Sequence, residues 1–162
     1  MNADRFDVTR RVALGQLAAM GALLMTGTGN ATAAGAQPIA RRAIPRSGEA
    51  IPVIGLGTSQ TFDVGTGEAA RAPLREVLKR FVECGGTVVD SSPMYGRAEV
   101  VVGDLAADLG VQGALFYATK VWTSGQASGV RQMQESLGRM RVQRMDLMQI
   151  HNLQDLQTHT RT

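Results

Sequence analysis

Apolar residues along the chain switch between two spacings, and the switching predicts the elements. "AIPRSGEAIPVIGLGTS" (Ala43 to Ser59) holds two short extended pieces around the turn Arg46-Ser47-Gly48-Glu49, a hairpin signature. Its second piece, "PVIGLGT", reads as the first strong strand. "REVLKRFVECGG" follows, with Val77, Leu78, Phe81 and Val82 at helical spacing and Gly85-Gly86 as the stop. "TVVD" is the next strand. "AEVVVGDLAADLG" (Ala98 to Gly110) reads as a helix closed by Gly110. "ALFYATKVW" (Ala114 to Trp122) is a third strand. "SGVRQMQESLGRMRV" (Ser128 to Val142) is an amphipathic helix with Val130, Met133, Leu137 and Met140 on one face. "MDLMQIHN" (Met145 to Asn152) is a fourth strand.

Strands alternating with helices predict an α/β fold, with a parallel sheet covered by helices. Two architectures fit the rhythm: an open doubly wound sheet, or part of a (β/α)8 barrel. The glycines of "GLG" (Gly55 to Gly57) do not extend to a dinucleotide fingerprint. That motif needs a third glycine where Gln60 stands, and no helix opens directly there. The barrel therefore gains.

Residues 1–36 read differently. Arg10 and Arg11 precede the moderately apolar "VALGQLAAMGALLM" (Val12 to Met25), and "ATAAGAQ" supplies small residues at A-x-A spacing. Together they resemble a bacterial twin-arginine export signal, with Ala13-Leu14 where the pattern prefers Phe-Leu. The expectation is a signal peptide over 1–36, handled by the export machinery, and a periplasmic mature domain over 37–162. The alternative is an uncleaved signal acting as a membrane anchor.

Composition adds exclusions. Hydrophobic residues are 44 % and charged residues 19 %, ordinary for a globular domain. A net charge of +3, with scattered basic residues, gives no footprint for nucleic acid. Cys84 is the sole cysteine, so an internal disulfide is excluded; it reads as a small buried filler. His151 and His159 are the only histidines, and no metal constellation is expected. Met133, Met140, Met145 and Met148 read as core packing.

Polar residues collect where the predicted strands end. Gly57, Thr58 and Ser59 end the first, Asp90 the second with Tyr95 just beyond, Lys120 and Trp122 the third, His151 and Asn152 the fourth. In parallel α/β folds those ends share one face, where such folds place their sites. Lys120 follows the apolar "LFYAT", and Asp90 is the carboxylate available to keep its ammonium charged. An ammonium beside a phenol stabilises the phenolate, so Tyr95, five residues after Asp90, becomes a better proton donor to a developing alkoxide. His151 can orient the substrate oxygen or relay the proton.

These residues resemble the N-terminal half of an aldo-keto reductase. "IPVIGLGTS", "GGTVVDSSPMYGRAEVVVGDLAADLG", "LFYATKVW" and "SLGRMRVQRMDLMQIHN" carry the likeness from about Ala43 to Asn152. The spacing of Asp90 and Tyr95, the pair Thr119-Lys120, and the run Asp146 to His151 are specific in combination. The resemblance implies a catalytic tetrad of Asp90, Tyr95, Lys120 and His151. It implies carbonyl reduction with NADPH, or NADH, and no metal. Tyr95 is then the proton donor, tuned by Asp90 and Lys120, with His151 orienting the carbonyl of a small-molecule substrate. Gly57, Thr58, Ser59 and Asp90 would lie beside the cofactor, and Trp122 and Asn152 would line the substrate pocket.

Such barrels run to about 250 residues, so about four of eight β/α units are expected here. The segments that hold the cofactor's amide, pyrophosphate and 2′-phosphate in that family fall outside them. A truncated chain with open sheet edges is expected to self-associate. Two further expectations compete with catalysis: a non-catalytic binding or regulatory protein of the same fold, and an inactive gene fragment.

Overall fold

The computed structural model describes residues 38–153 and 156–159. A short antiparallel hairpin comes first, β1 (Arg41–Ala43) against β2 (Ala50–Pro52), with Arg42 opposite Ile51. Four strands then form one parallel sheet in sequence order: β3 (Leu56–Gly57), β4 (Val88–Asp90), β5 (Phe116–Val121) and β6 (Leu147–Ile150). Between them run α1 (Glu68–Glu83), α2 (Ala98–Leu109) and α3 (Gln126–Met140), and α4 (Leu156–His159) follows β6. Each sheet strand is thus joined to the next by a helix, the arrangement that parallel pairing demands.

The pleat divides the strands into two faces. Val89, Tyr117, Thr119 and Val121 point toward the helices and are buried. Gly57 pairs with Asp90, Asp90 with Ala118, and Lys120 with Gln149, so these residues share the opposite, concave face. The core lies between sheet and helices, where Leu74 and Leu78 of α1 meet Val101, Val102 and Leu105 of α2, together with Val89 and Met140. Helices α2 and α3 approach closely because position 103 is glycine: a Cβ there would run into the Arg139 carbonyl and the Met140 backbone. Gly110 closes α2 in the left-handed region at φ 67°, as its glycine predicts.

Several expectations change. "PVIGLGT" is not one strand. The hairpin takes Pro52, and the sheet strand begins only at Leu56, leaving Val53 and Ile54 exposed between them. The break lets the chain leave an antiparallel ribbon and enter a parallel sheet, and Gly55 allows it to pass the Val88 carbonyl, 3.1 Å from where a Cβ would stand. Helix α1 starts at Glu68, seven residues before the periodic stretch, and its apolar face turns on Leu74 and Leu78 while Val77 is exposed. Val130 of α3 is likewise exposed. Cys84 is exposed rather than buried, because it caps the end of α1 instead of lying on its packed face. The export-signal reading of 1–36 lies outside the described residues. No helix among those described is long and apolar enough to cross a membrane.

Candidate active site

The strand ends converge through continuations of the sheet's own ladder. The Thr58 amide donates to the Asp90 carbonyl (3.1 Å), Ser91 to Ala118 (2.9 Å), and His151 to Val121 (2.9 Å). These bonds hold the residue just past β3, β4 and β6 at the rim. At the centre, Lys120 Nζ donates to Asp90 Oδ2 (2.6 Å) and to the Ser91 carbonyl (2.8 Å). The Lys120 side chain is 14 % exposed and that of Asp90 37 %, so the ion pair sits just inside the rim. The other carboxylate oxygen, Asp90 Oδ1, accepts from Gln149 Nε2 at 3.0 Å.

Tyr95 stands over this pair. Lys120 Nζ lies 5.2 Å from its ring centroid, within cation–π range. His151 meets the same ring edge-on, with centroids 5.7 Å apart and planes at 78°. The turn after β4 sets Tyr95: its amide donates to the Ser92 carbonyl (2.9 Å), and its own carbonyl receives the first amide of α2 (3.1 Å). Asp90, Tyr95, Lys120 and His151 are therefore brought together.

The other candidates are distributed less evenly. Thr58 is fully buried, and its hydroxyl donates to the Asp90 carbonyl (3.0 Å) beside Ser91 Oγ (2.9 Å), so it braces Asp90 from behind. Ser59 is exposed. Gly57 has nothing within 4 Å of where a Cβ would stand, which leaves open space beside Asp90 on the concave face. Trp122 is 49 % exposed and is tied by its backbone to Gln132 (2.5 Å and 3.3 Å). Asn152 is exposed with φ 55°.

Sequence reasoning missed Ser92 and Gln149. Ser92 is fully buried, and its Oγ is 2.8 Å from His151 Nδ1. Gln149 was legible in principle, since a polar residue two before His151 on a strand must share its face. Glu99 was missed as well. It is buried on α2, accepts from Thr119 Oγ1 (2.6 Å) and from Arg139 Nη1 (3.1 Å), and ties β5 to two helices. Asp146 braces the far end of the sheet, accepting from the Tyr117 amide (2.8 Å) and Arg144 (2.6 Å). Burial first, and Asp146 second, push the Tyr117 phenol up to about 12.

A concavity of about 590 Å³ lies at that far end, lined by hairpin residues together with Phe116, Asp146 and Leu147. It is remote from the strand ends that carry Asp90 and Lys120. No group of three His, Cys, Asp or Glu side chains among the described residues could hold a metal ion.

A model of the aldo/keto reductase family matches residues 53–157. The chain belongs to that family. Its α/β fold is part of the aldo-keto reductase barrel, and solved structures of the family superpose on it. An aldo/keto reductase from Klebsiella pneumoniae, crystallised with NADP and acetate, is 30% identical with a TM-score of 0.56, covering 64% of this chain and 36% of its own. A second from Klebsiella pneumoniae, in complex with NADPH, is 27% identical with a TM-score of 0.61, over 73% and 42%. One from Brucella melitensis, at 24% identity and a TM-score of 0.61 over 76% and 46%, shows the shared fold. The chain thus spans less than half the length of each. A comparison with curated proteins returned no match.

Proposed function

We propose that this aldo-keto reductase chain carries the catalytic corner of an oxidoreductase that reduces an aldehyde or ketone to an alcohol. The observation that carries the reading is the Lys120–Asp90 pair at 2.6 Å beneath the Tyr95 ring, with His151 edge-on to it. A structural ion pair needs neither a phenol nor an imidazole at its mouth.

No atom lies within 4 Å of where a Cβ at Gly57 would stand, which leaves the concave face beside Asp90 open to a ligand. Gly57, Ser59 and Asp90 would hold a nicotinamide there, with Thr58 supporting Asp90. When bound, NADPH (or NADH) supplies the hydride that reaches the carbonyl carbon. Tyr95 gives its hydroxyl proton to the carbonyl oxygen, and the Lys120 ammonium stabilises the phenolate left behind. Asp90 holds that ammonium in place. His151 fixes the carbonyl oxygen, and the half-exposed Trp122 and Asn152 border the substrate. The two Klebsiella pneumoniae structures, one holding NADP and the other NADPH, support the choice of nicotinamide.

The test is NADPH oxidation by the purified chain against a panel of aldehydes and ketones, with a fluorescence titration of NADPH alongside. Tyr95→Phe should lower kcat by a factor on the order of 10²–10⁴, the usual worth of a positioned general acid, while leaving NADPH binding intact. Saturable NADPH binding without turnover would favour a non-catalytic binding protein of the same fold. Neither binding nor turnover would refute the reading for this chain.

A further inference from the structure

We infer that Ser92 is a positioning residue that sets the tautomer and the direction of His151. Its part in catalysis rests on the oxidoreductase reading above; its effect on the imidazole does not. Ser92 Oγ is fully buried and has two neighbours. It accepts from the Met94 amide at 3.2 Å, and it lies 2.8 Å from His151 Nδ1.

The direction of the second bond follows from proton counting. A serine hydroxyl has one proton to give. If His151 Nδ1–H donated to Oγ, the oxygen would receive two N–H groups and its own proton would be left in a buried site without a partner among the described residues, which is costly. If the hydroxyl donates to Nδ1 instead, the serine hydroxyl, the Met94 amide and Nδ1 are all satisfied. Nδ1 is then the acceptor, and the neutral ring carries its proton on Nε2.

That assignment has a chemical consequence. Nε2–H is a hydrogen-bond donor, which suits a carbonyl oxygen; the other tautomer would present a lone pair and repel it. Ser92 also belongs to the turn that places Tyr95, whose amide donates to the Ser92 carbonyl at 2.9 Å. One residue therefore holds both groups that would meet the substrate oxygen. Pro93 follows it and stiffens the turn.

The experiment is long-range 1H–15N correlation of the labelled 162-residue chain, with His159→Gln used to assign the only other histidine. Spectra are taken near pH 8 (about 1.5 units above the ordinary imidazole value). The expected pattern in the native chain is an acceptor nitrogen at Nδ1 and a protonated Nε2. Ser92→Ala should shift the Nδ1 signal and mix the tautomers, and Ser92→Thr should restore the native pattern. A protonated Nδ1 in the native chain overturns the assignment without any variant, even if Ser92→Ala does not fold. A nitrogen pattern unchanged by Ser92→Ala overturns it too. In turnover, Ser92→Ala should lower kcat for carbonyl reduction about tenfold, the equivalent of one ordinary hydrogen bond, with KM for NADPH unchanged. An unchanged kcat refutes the catalytic part. Absence of turnover in the native chain refutes the oxidoreductase reading and leaves the nitrogen pattern to decide the role of Ser92.

Discussion

Replacing Asp90 by Asn keeps the shape of the side chain and removes its charge. Lys120 then keeps the Ser91 carbonyl at 2.8 Å and loses the carboxylate at 2.6 Å. With its side chain only 14 % exposed, the ammonium has little water to turn to. Breaking a fully buried pair from one side costs about 3–5 kcal/mol, and an exposed pair contributes about 0–1 kcal/mol. Asp90 is 37 % exposed, so this pair lies between those limits, and about 2 kcal/mol is the expected loss for Asp90→Asn. Lys120→Met should cost less, about 1 kcal/mol, because Asp90 keeps the Gln149 amide at 3.0 Å and its share of solvent. In the double variant no charge is stranded, so its loss should fall short of the sum by about 1–2 kcal/mol. Urea unfolding followed by circular dichroism reads all four proteins. With a slope of about 2 kcal/mol/M, Asp90→Asn should move the midpoint by about 1 M. Additive losses, with a coupling below about 0.5 kcal/mol, would refute the claim that the two charges depend on each other.

Tyr117 predicts an alkaline weakness. Its folded-state value, raised to about 12 by burial and then by Asp146, exceeds the ordinary tyrosine value near 10. The unfolded chain therefore loses that proton first, and stability present below about pH 10 declines as pH rises toward 12. The Tyr117 hydroxyl has no hydrogen-bond partner among the described residues, so Tyr117→Phe should remove this decline at little cost near neutrality. Unfolding midpoints measured across that range check it, and an unchanged alkaline slope would contradict it. Glu99→Ala strands the Thr119 hydroxyl and one face of Arg139, and should cost about 2–4 kcal/mol by urea titration; Glu99→Gln should cost less, since it still accepts from Thr119. Gly103→Ala pushes α2 from the Arg139 carbonyl and should cost about 1–3 kcal/mol, as overpacking does. A loss no greater than that of an exposed Gly→Ala change would show that the helices part freely.

Much of the site was legible because a parallel fold gathers strand ends. Asp90, Lys120 and His151 each follow an apolar run, and the topology left them one face to share. Ser92 was not legible. Its role depends on His151, fifty-nine residues away, and a serine in a proline turn has ordinary local uses. Glu99 was hidden for the same reason: on a helix it reads as a first-turn acid, and only the packing of α2 against β5 shows that it is buried. The exposed Val77 and Val130 mark the limit of periodicity, which tells which residues share a stripe and not how wide a stripe the neighbours cover.

By itself, the sequence determined the order and kind of the elements, because apolar spacing and glycine stops act within a few residues. It also determined which ionisable groups stand at strand ends, because strand and helix lengths place them there. The tertiary structure alone decided which groups meet. Lys120 chooses Asp90, Gln149 takes the other oxygen, and Ser92 takes the imidazole. Those choices depend on register between strands and on burial, which make an unpaired polar group costly. Both are properties of the assembled sheet and not of any segment in it.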